Sequence, residues 1–304
     1  MKRAAVFIAV LVIAAASFAQ SNSQSTGQNP PAAAQQGTAG QAQAPATGQA
    51  PAKRPPQAKT QPEYDAFQKA MTLQDPAQME AAANDFAAKF PDSELRVLLY
   101  KNTMRAFQSA GNTDKMAEMG RKVLSIDPDD PEALVLVANS LTEHTRDTDL
   151  DKDQRLEEAM KLAQRATQTV DTDVSAPAGT PQEKIDAYKG LLRSNAYSIM
   201  GTLQFNKGDF PAAEANFHKS IDAFPQQPDP VVVLRLALSL DKQNKYPEAL
   251  QEANKAVEMT QENTSVGGLA RKERDRLVQL TGGSIPPAKS PSGTSGAATQ
   301  PPQK

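Results

Sequence analysis

Asp147, Asp149, Asp151 and Asp153, followed by Glu158, set carboxylates at positions 1, 3, 5, 7 and 12 of one short stretch. That is the ligand spacing of a helix-flanked calcium loop, in which several oxygen donors converge on one hard cation. The sharp turn of such a loop calls for glycine at position 6, and this chain has Lys152 there. Position 8, usually apolar, is Gln154. The chemistry these departures favour is a solvated acidic loop whose carboxylates cap the next helix and lie near its positive end. A calcium-responsive binding module on loop 147–158 stands as the alternative. His144 and His218 are the only histidines, with Asp147 three residues beyond the first and Asp222 four beyond the second. One imidazole beside one carboxylate makes a surface ion pair. Zinc would need further ligands and a nucleophilic triad would need a hydroxyl brought in from elsewhere.

The rest of the chemical inventory is sparse. There is no cysteine, which removes thiol nucleophiles, thiolate metal sites and disulfides. No Gly-x-Ser-x-Gly elbow, His-Glu-x-x-His pair or phosphate-binding glycine loop occurs. The sequence therefore nominates no catalytic residue, no metal ligand set and no cofactor, and a non-enzymatic protein is expected.

Helices must position whatever this chain uses, and the stretch 208–225, GDFPAAEANFHKSIDAFP, shows how they are built. Gly208-Asp209 breaks one helix and turns the chain. Pro211 stands near the start of the next, where a missing N–H costs nothing. Ala213, Phe217, Ser220 and Ile221 share one helical face, and Pro225 ends it. Ala213 and Ser220 are small enough to let a neighbouring helix approach, with Phe217 as the bulky knob between them. Upstream, Tyr197, Met200, Gly201 and Phe205 form the facing stripe, with Gly201 at the close crossing.

Versions of this unit recur. Pro62 starts a first pair, with Tyr64, Phe67, Ala70 and Met71 facing a second helix over 76–90. The next pair runs 95–110 and 114–126 around Gly111-Asn112; Gly120 occupies the place of its aromatic knob. A third runs 131–144 and 151–169, with a connection longer than the repeat needs, and 171–181 then interrupts the array as a loop. The fourth is the stretch above, its first helix lengthened back to Gln182. The fifth spans 230–242 and 246–259. A last helix over 264–280 would cap the array, turning Leu269, Leu277, Val278 and Leu280 inward.

The unit resembles the tetratricopeptide repeat (TPR) family, helix–turn–helix units of about 34 residues. Tyr197, Met200 and Gly201 match its first helix, and Ala213, Phe217, Ser220 and Pro225 its second; Gln204 departs from the pattern. The resemblance covers 62–280 and is fullest over 195–260. It implies an all-α fold, a right-handed α-solenoid of about five hairpins plus a capping helix. It also implies a protein or peptide partner held in the concave groove of the first helices. On this chain that groove maps to Lys101, Arg105, Asn139, Glu143, Asn195, Thr202, Asn206, Leu234, Leu238 and Lys242. Chaperone-binding members clamp a terminal carboxylate with Lys, Asn and Arg. Lys101 and Arg105 fit that clamp, but Leu136 stands where it needs Asn, so that ligand is not expected.

The flanks read differently. Lys2 and Arg3 precede an apolar run to Ala16 and a Ser17-Phe18-Ala19 ending, the pattern of a secretory signal (1–19) cleaved before Gln20. The run is short for a membrane span, so a membrane is expected as a partner only if the signal stays uncleaved. Residues 20–61 and 282–304 are rich in Gln, Ala, Pro, Gly, Ser and Thr and are expected to be disordered. With no cysteine after the signal, a periplasmic or secreted bacterial protein is expected. The formal net charge is −2. The N-terminal tail carries Lys and Arg and the C-terminal tail Lys, neither with an acid, so the body between them is more acidic still, which argues against nucleic acid as a partner.

Overall fold

The computed structural model describes residues 54–174, 176 and 179–282. The expected signal, most of the linker over 20–61 and the tail from 283 onward lie outside the described residues. Within them are eleven helices and no strands: α1 (Gln61–Met71), α2 (Pro76–Lys89), α3 (Arg96–Ser109), α4 (Thr113–Ile126), α5 (Pro131–His144), α6 (Lys152–Thr169), α7 (Gln182–Asn206), α8 (Phe210–Ala223), α9 (Pro230–Asp241), α10 (Tyr246–Glu258) and α11 (Ser265–Thr281). The described chain is all-α, built of helical hairpins, as the repeats imply. None of these helices is long and apolar enough to cross a membrane.

Three hairpin turns share one backbone solution. Gly111, Gly208 and Asn244 each adopt positive φ, at 71°, 81° and 60°. The next residue closes the finished helix: Asn112 N donates to Phe107 O at 2.9 Å, Asp209 N to Gln204 O at 3.0 Å and Lys245 N to Leu240 O at 3.0 Å. This is the six-to-one bond of a Schellman motif. Asn112 and Asp209 then serve as side-chain N-caps for α4 and α8. The second helices end alike as well. Phe90, Asp127 and Phe224 leave the helical region at φ −129°, −129° and −143°, because each precedes a proline that disfavours a helical conformation.

The chain divides into two compact units. One holds the described residues up to Leu136 together with Gln168–Lys189. Its core gathers Ala83, Phe86, Tyr100, Met104, Phe107, Met116, Met119 and Val123. Phe67 meets Phe86 edge-on at 6.4 Å, and Phe86 meets Phe90 at 5.0 Å. Gly120 carries no aromatic knob, and Met104 and Met119 are completely buried in the same core. Tyr64, expected inside, is 45% exposed, and the buried residue of α1 is Glu63. Its carboxylate closes a capping box with Thr60, accepts Lys59 N at 2.7 Å and takes the Ser93 hydroxyl. Residues 54–60 are thereby strapped onto the unit, with Ala58 against the core and Arg54 on Glu94 at 2.7 Å.

The other unit holds Val137–Thr167 and the described chain from Gly190. Here α7 and α8 cross where the small residues predict. Gly201 lies under the Phe217 ring, so near that a Cβ there would sit 2.7 Å from it. Gly190 faces the Ala223 carbonyl, and Ser220 Oγ donates to Ser194 O at 2.8 Å. Ala213, Ala249 and Ala253 are fully buried with Leu236, Ala237, Leu240 and Leu250.

The closing helix corrects one expectation. α11 packs on α9 and α10, but through Gly267, Ala270 and Leu277, leaving Leu269 59%, Leu280 50% and Val278 39% exposed. Arg271 decides the side: its guanidinium bonds Gly267 O and Thr260 O, while Gly267 sits against the Gln261 carbonyl where a side chain would collide. Close backbone approach outweighs the leucines.

Candidate functional site

The two groove cations of the first unit are matched from within. Lys101 Nζ, on α3, pairs with Asp130 at 2.5 Å and with Glu132 at 3.4 Å. Arg105, one turn on, forks onto both Glu132 oxygens at 2.6 and 2.5 Å. Asp130 also caps α5 through Ala133 N at 2.9 Å, so its carboxylate is fixed by the helix it starts. Tyr188, on the forward extension of α7, adds side-chain hydrogen bonds to Arg105 and Glu132. Burial works against the charge of Glu132, but Lys101 and Arg105 more than offset it and hold the carboxyl down at about 2. Burial likewise opposes the charges of Lys101 and Arg105, and the facing carboxylates leave both above their ordinary values. Burial first, and Glu132 second, push the Tyr188 phenol up. A clamp for a partner's carboxylate is thus filled by the chain's own Asp130 and Glu132.

The second unit differs. Thr202, on α7, donates to Ser198 O at 2.8 Å and accepts from Arg235 Nη1, on α9, at 2.8 Å. Burial pulls the Arg235 guanidinium below its ordinary value, with Asp229 and Glu143 partly compensating. Asn206, Lys242 and Glu143 are exposed; Asn139 and Leu238 are half-buried. The structure buries Leu234 at 5% exposure with Val233, Ala256 and Ala270, which removes it from any surface a partner could touch. Asn195 is half-buried, and its Nδ2 is covered with no hydrogen-bond partner among the described residues.

The acidic loop spends its carboxylates locally. Asp147 pairs with Lys152 at 2.7 Å, Asp149 accepts Arg146 N at 2.9 Å, and Arg155 reaches Asp149 and Asp151. Among the described residues no group of three acidic or imidazole side chains is placed to hold a metal. His144 Nδ1 lies 3.0 Å from Ser140 O, and His218 is exposed. Isothermal titration of the full chain with calcium is expected to give no heat at millimolar metal; a saturable heat lost in Asp149→Asn would reverse that.

Sequence reasoning missed Asp130, Glu132 and Tyr188 as the partners of Lys101 and Arg105, and it missed Arg235. A signal was present for the acids. Asp130 and Glu132 flank Pro131 at a helix start, where carboxylates cap or face the dipole.

No family model matches the chain, and no curated protein matches it. Among solved structures, one described as MamA protein is 18% identical, with a TM-score of 0.45 over 64% of this chain and 88% of that one. TTC0263, described as a thermophilic TPR protein of Thermus thermophilus, is 16% identical, with a TM-score of 0.39 over 69% and 98%. Acl4, described as an assembly chaperone of RpL4, is 13% identical, with a TM-score of 0.37 over 72% and 98%.

Proposed function

We propose that this chain is a non-enzymatic protein-binding scaffold of the bacterial cell envelope. It takes a peptide or protein segment along the first helices of its hairpins and is exported by a cleaved signal over 1–19. The observation that carries the reading is the polar face joining α7 to α9. Thr202 and Arg235 bridge two hairpins there, with Asn206 and Lys242 exposed on the same two helices. The buried residues of these stretches, among them Ile199, Leu203, Leu236 and Leu240, are spent on the core. A surface that keeps a half-desolvated Arg on a rigid helix is suited to recognition, since little side-chain order remains to be lost on binding.

Photo-crosslinkers at Asn206, Leu238 or Lys242 in the native cell are expected to capture a partner. The same probes at the exposed Ala215 and Lys219 of α8 should not. Equal capture at both sets, or none at the first, overturns the reading. A mature chain beginning at Gln20 in the periplasmic or secreted fraction is the expected outcome for export. Full-length chain in the cytosol contradicts it, and full-length chain in the membrane fraction marks an uncleaved signal.

A further inference from the structure

A helix that closes a stack of hairpins needs one face for the hairpin beneath it, and its outer side is ordinarily polar. α11 lays Gly267, Ala270 and Leu277 on its neighbours and keeps Leu269 and Leu280 exposed on its flank. Single leucines in water are commonplace. The spacing sets this pair apart. They stand eleven residues apart, three helical turns that return within about 20° of the same line. Glu273 and Arg276 fall on that line between them, so the flank reads Leu, Glu, Arg, Leu at i, i+4, i+7 and i+11. Arg276 pairs with Glu273 at 2.8 Å and also with Asp241 at the end of α9. Val278, exposed as well, lies half a turn round from Leu269 and stands outside the stripe.

The stripe is complementary to itself when one copy is reversed. Read backwards it runs Leu, Arg, Glu, Leu, so an antiparallel mate sets Leu269 on Leu280 of the other copy and Glu273 across from its Arg276. Both contacts recur about a two-fold axis passing between residues 274 and 275, the closed arrangement of an isologous pair. A parallel mate would set Glu on Glu and Arg on Arg, which like charges oppose. On the outer edge the same axis brings the exposed Lys272 of one copy beside the exposed Gln279 of the other. The chain's own stretch 283–304 offers Ile285 as its one large apolar side chain, too little to cover two leucines three turns apart.

We propose that the α11 flank is a docking surface for a second copy of this chain, paired antiparallel through Leu269, Glu273, Arg276 and Leu280. Pairing takes the two leucines of each copy out of water and lets each Arg276 share carboxylates of both chains. A single helix pair is a small interface, so the dimer is expected to dissociate in the micromolar range.

The chain has no cysteine, so cysteines introduced into it report the register without interference. In the antiparallel pair, L269C/L280C is expected to oxidise to a covalent dimer through bonds joining 269 of one copy to 280 of the other. L269C alone and L280C alone are expected to stay unlinked, because each cysteine then sits about 16 Å along the axis from its own mate. Within one chain the two positions lie equally far apart, so no internal disulfide competes. Sedimentation of the full chain should show a monomer–dimer equilibrium. L269E/L280E should weaken it on the order of a hundredfold, whereas V278S should leave it unchanged. All three positions are exposed, and circular dichroism and melting midpoints check that each variant is folded. A double cysteine variant that does not link, or a single one that does, overturns the proposal. So does a dimer that survives L269E/L280E, or a wild type that stays monomeric at hundreds of micromolar. A photo-crosslinker at 269 that attaches to 283–304 of its own chain gives the flank to that stretch and overturns it as well.

Discussion

Glu132→Gln is expected to destabilise the unit that contains it by about 3–5 kcal/mol, the usual cost of removing one partner from a buried ion pair. The carboxylate is 7% exposed and is the shared partner of Lys101, Arg105 and Tyr188. Glutamine keeps the shape but leaves Arg105 with a neutral acceptor and Lys101 with Asp130 alone. Chemical denaturation followed by hydrogen exchange within α3 and α5 measures the loss. Glu157→Gln, which removes an exposed pair with Lys161, is the contrast and should leave the midpoint unchanged.

The same residue dictates the acid limb. A carboxyl near 2 in the folded chain and near its ordinary 4.5 in the unfolded chain binds its proton more readily once unfolded. Its contribution is therefore complete above about 4.5 and is lost as pH falls toward 2. Tyr188 and Lys101 are raised, so their contributions hold below their ordinary values of 10.0 and 10.5 and fade as pH rises through the folded ones. A wild-type plateau between these limbs is expected, with a shallower acid limb in Glu132→Gln. An acid limb of equal steepness in both proteins contradicts the assignment.

Phe217→Ala should cost about 3–5 kcal/mol in the other unit, since the ring is wholly buried and α7 and α8 can collapse only partly around the void. Gly201→Ala should cost about 1–3 kcal/mol for the opposite reason: its new methyl group would lie 2.7 Å from the ring and force it aside. The two changes share one volume. In a Phe217→Ala background the Gly201→Ala penalty should vanish, giving a coupling of the same order in a double-mutant cycle. Additive effects would mean that the helices are held apart by something other than this pair.

Much of this architecture was legible because it is local. Gly208, Pro211 and Pro225 mark their helix by backbone chemistry alone, and the run Ala213, Phe217 and Ser220 identifies its buried face. Asn244 is the instructive exception among the turns. It takes the left-handed conformation that glycine takes at 111 and 208, yet asparagine carries too weak a signal to be read that way unaided. Contacts between hairpins were harder. Lys101 and Asp130 lie 29 residues apart, Arg105 and Glu132 27, and no helical periodicity reports such a pairing. Periodicity alone therefore leaves Lys101 and Arg105 open, whereas the structure occupies them. Arg235 gives no sequence signal, because a lone charge between Leu234 and Leu236 reads as solvated surface. α11 misled for a third reason. Hydrophobicity nominated four apolar side chains, while Gly267 and Arg271 settled the contact.

The strap over residues 54–60 has a mechanical consequence. Any pull transmitted from the preceding chain reaches this unit through Arg54, whose pair with Glu94 is exposed and gives way easily under load. Behind it the Glu63 carboxylate holds the Lys59 and Thr60 amides and the Ser93 hydroxyl together, a far stiffer knot. The molecule thus has a weak link ahead of a strong one, so tugging at its leash peels a few extended residues before it strains a single rod.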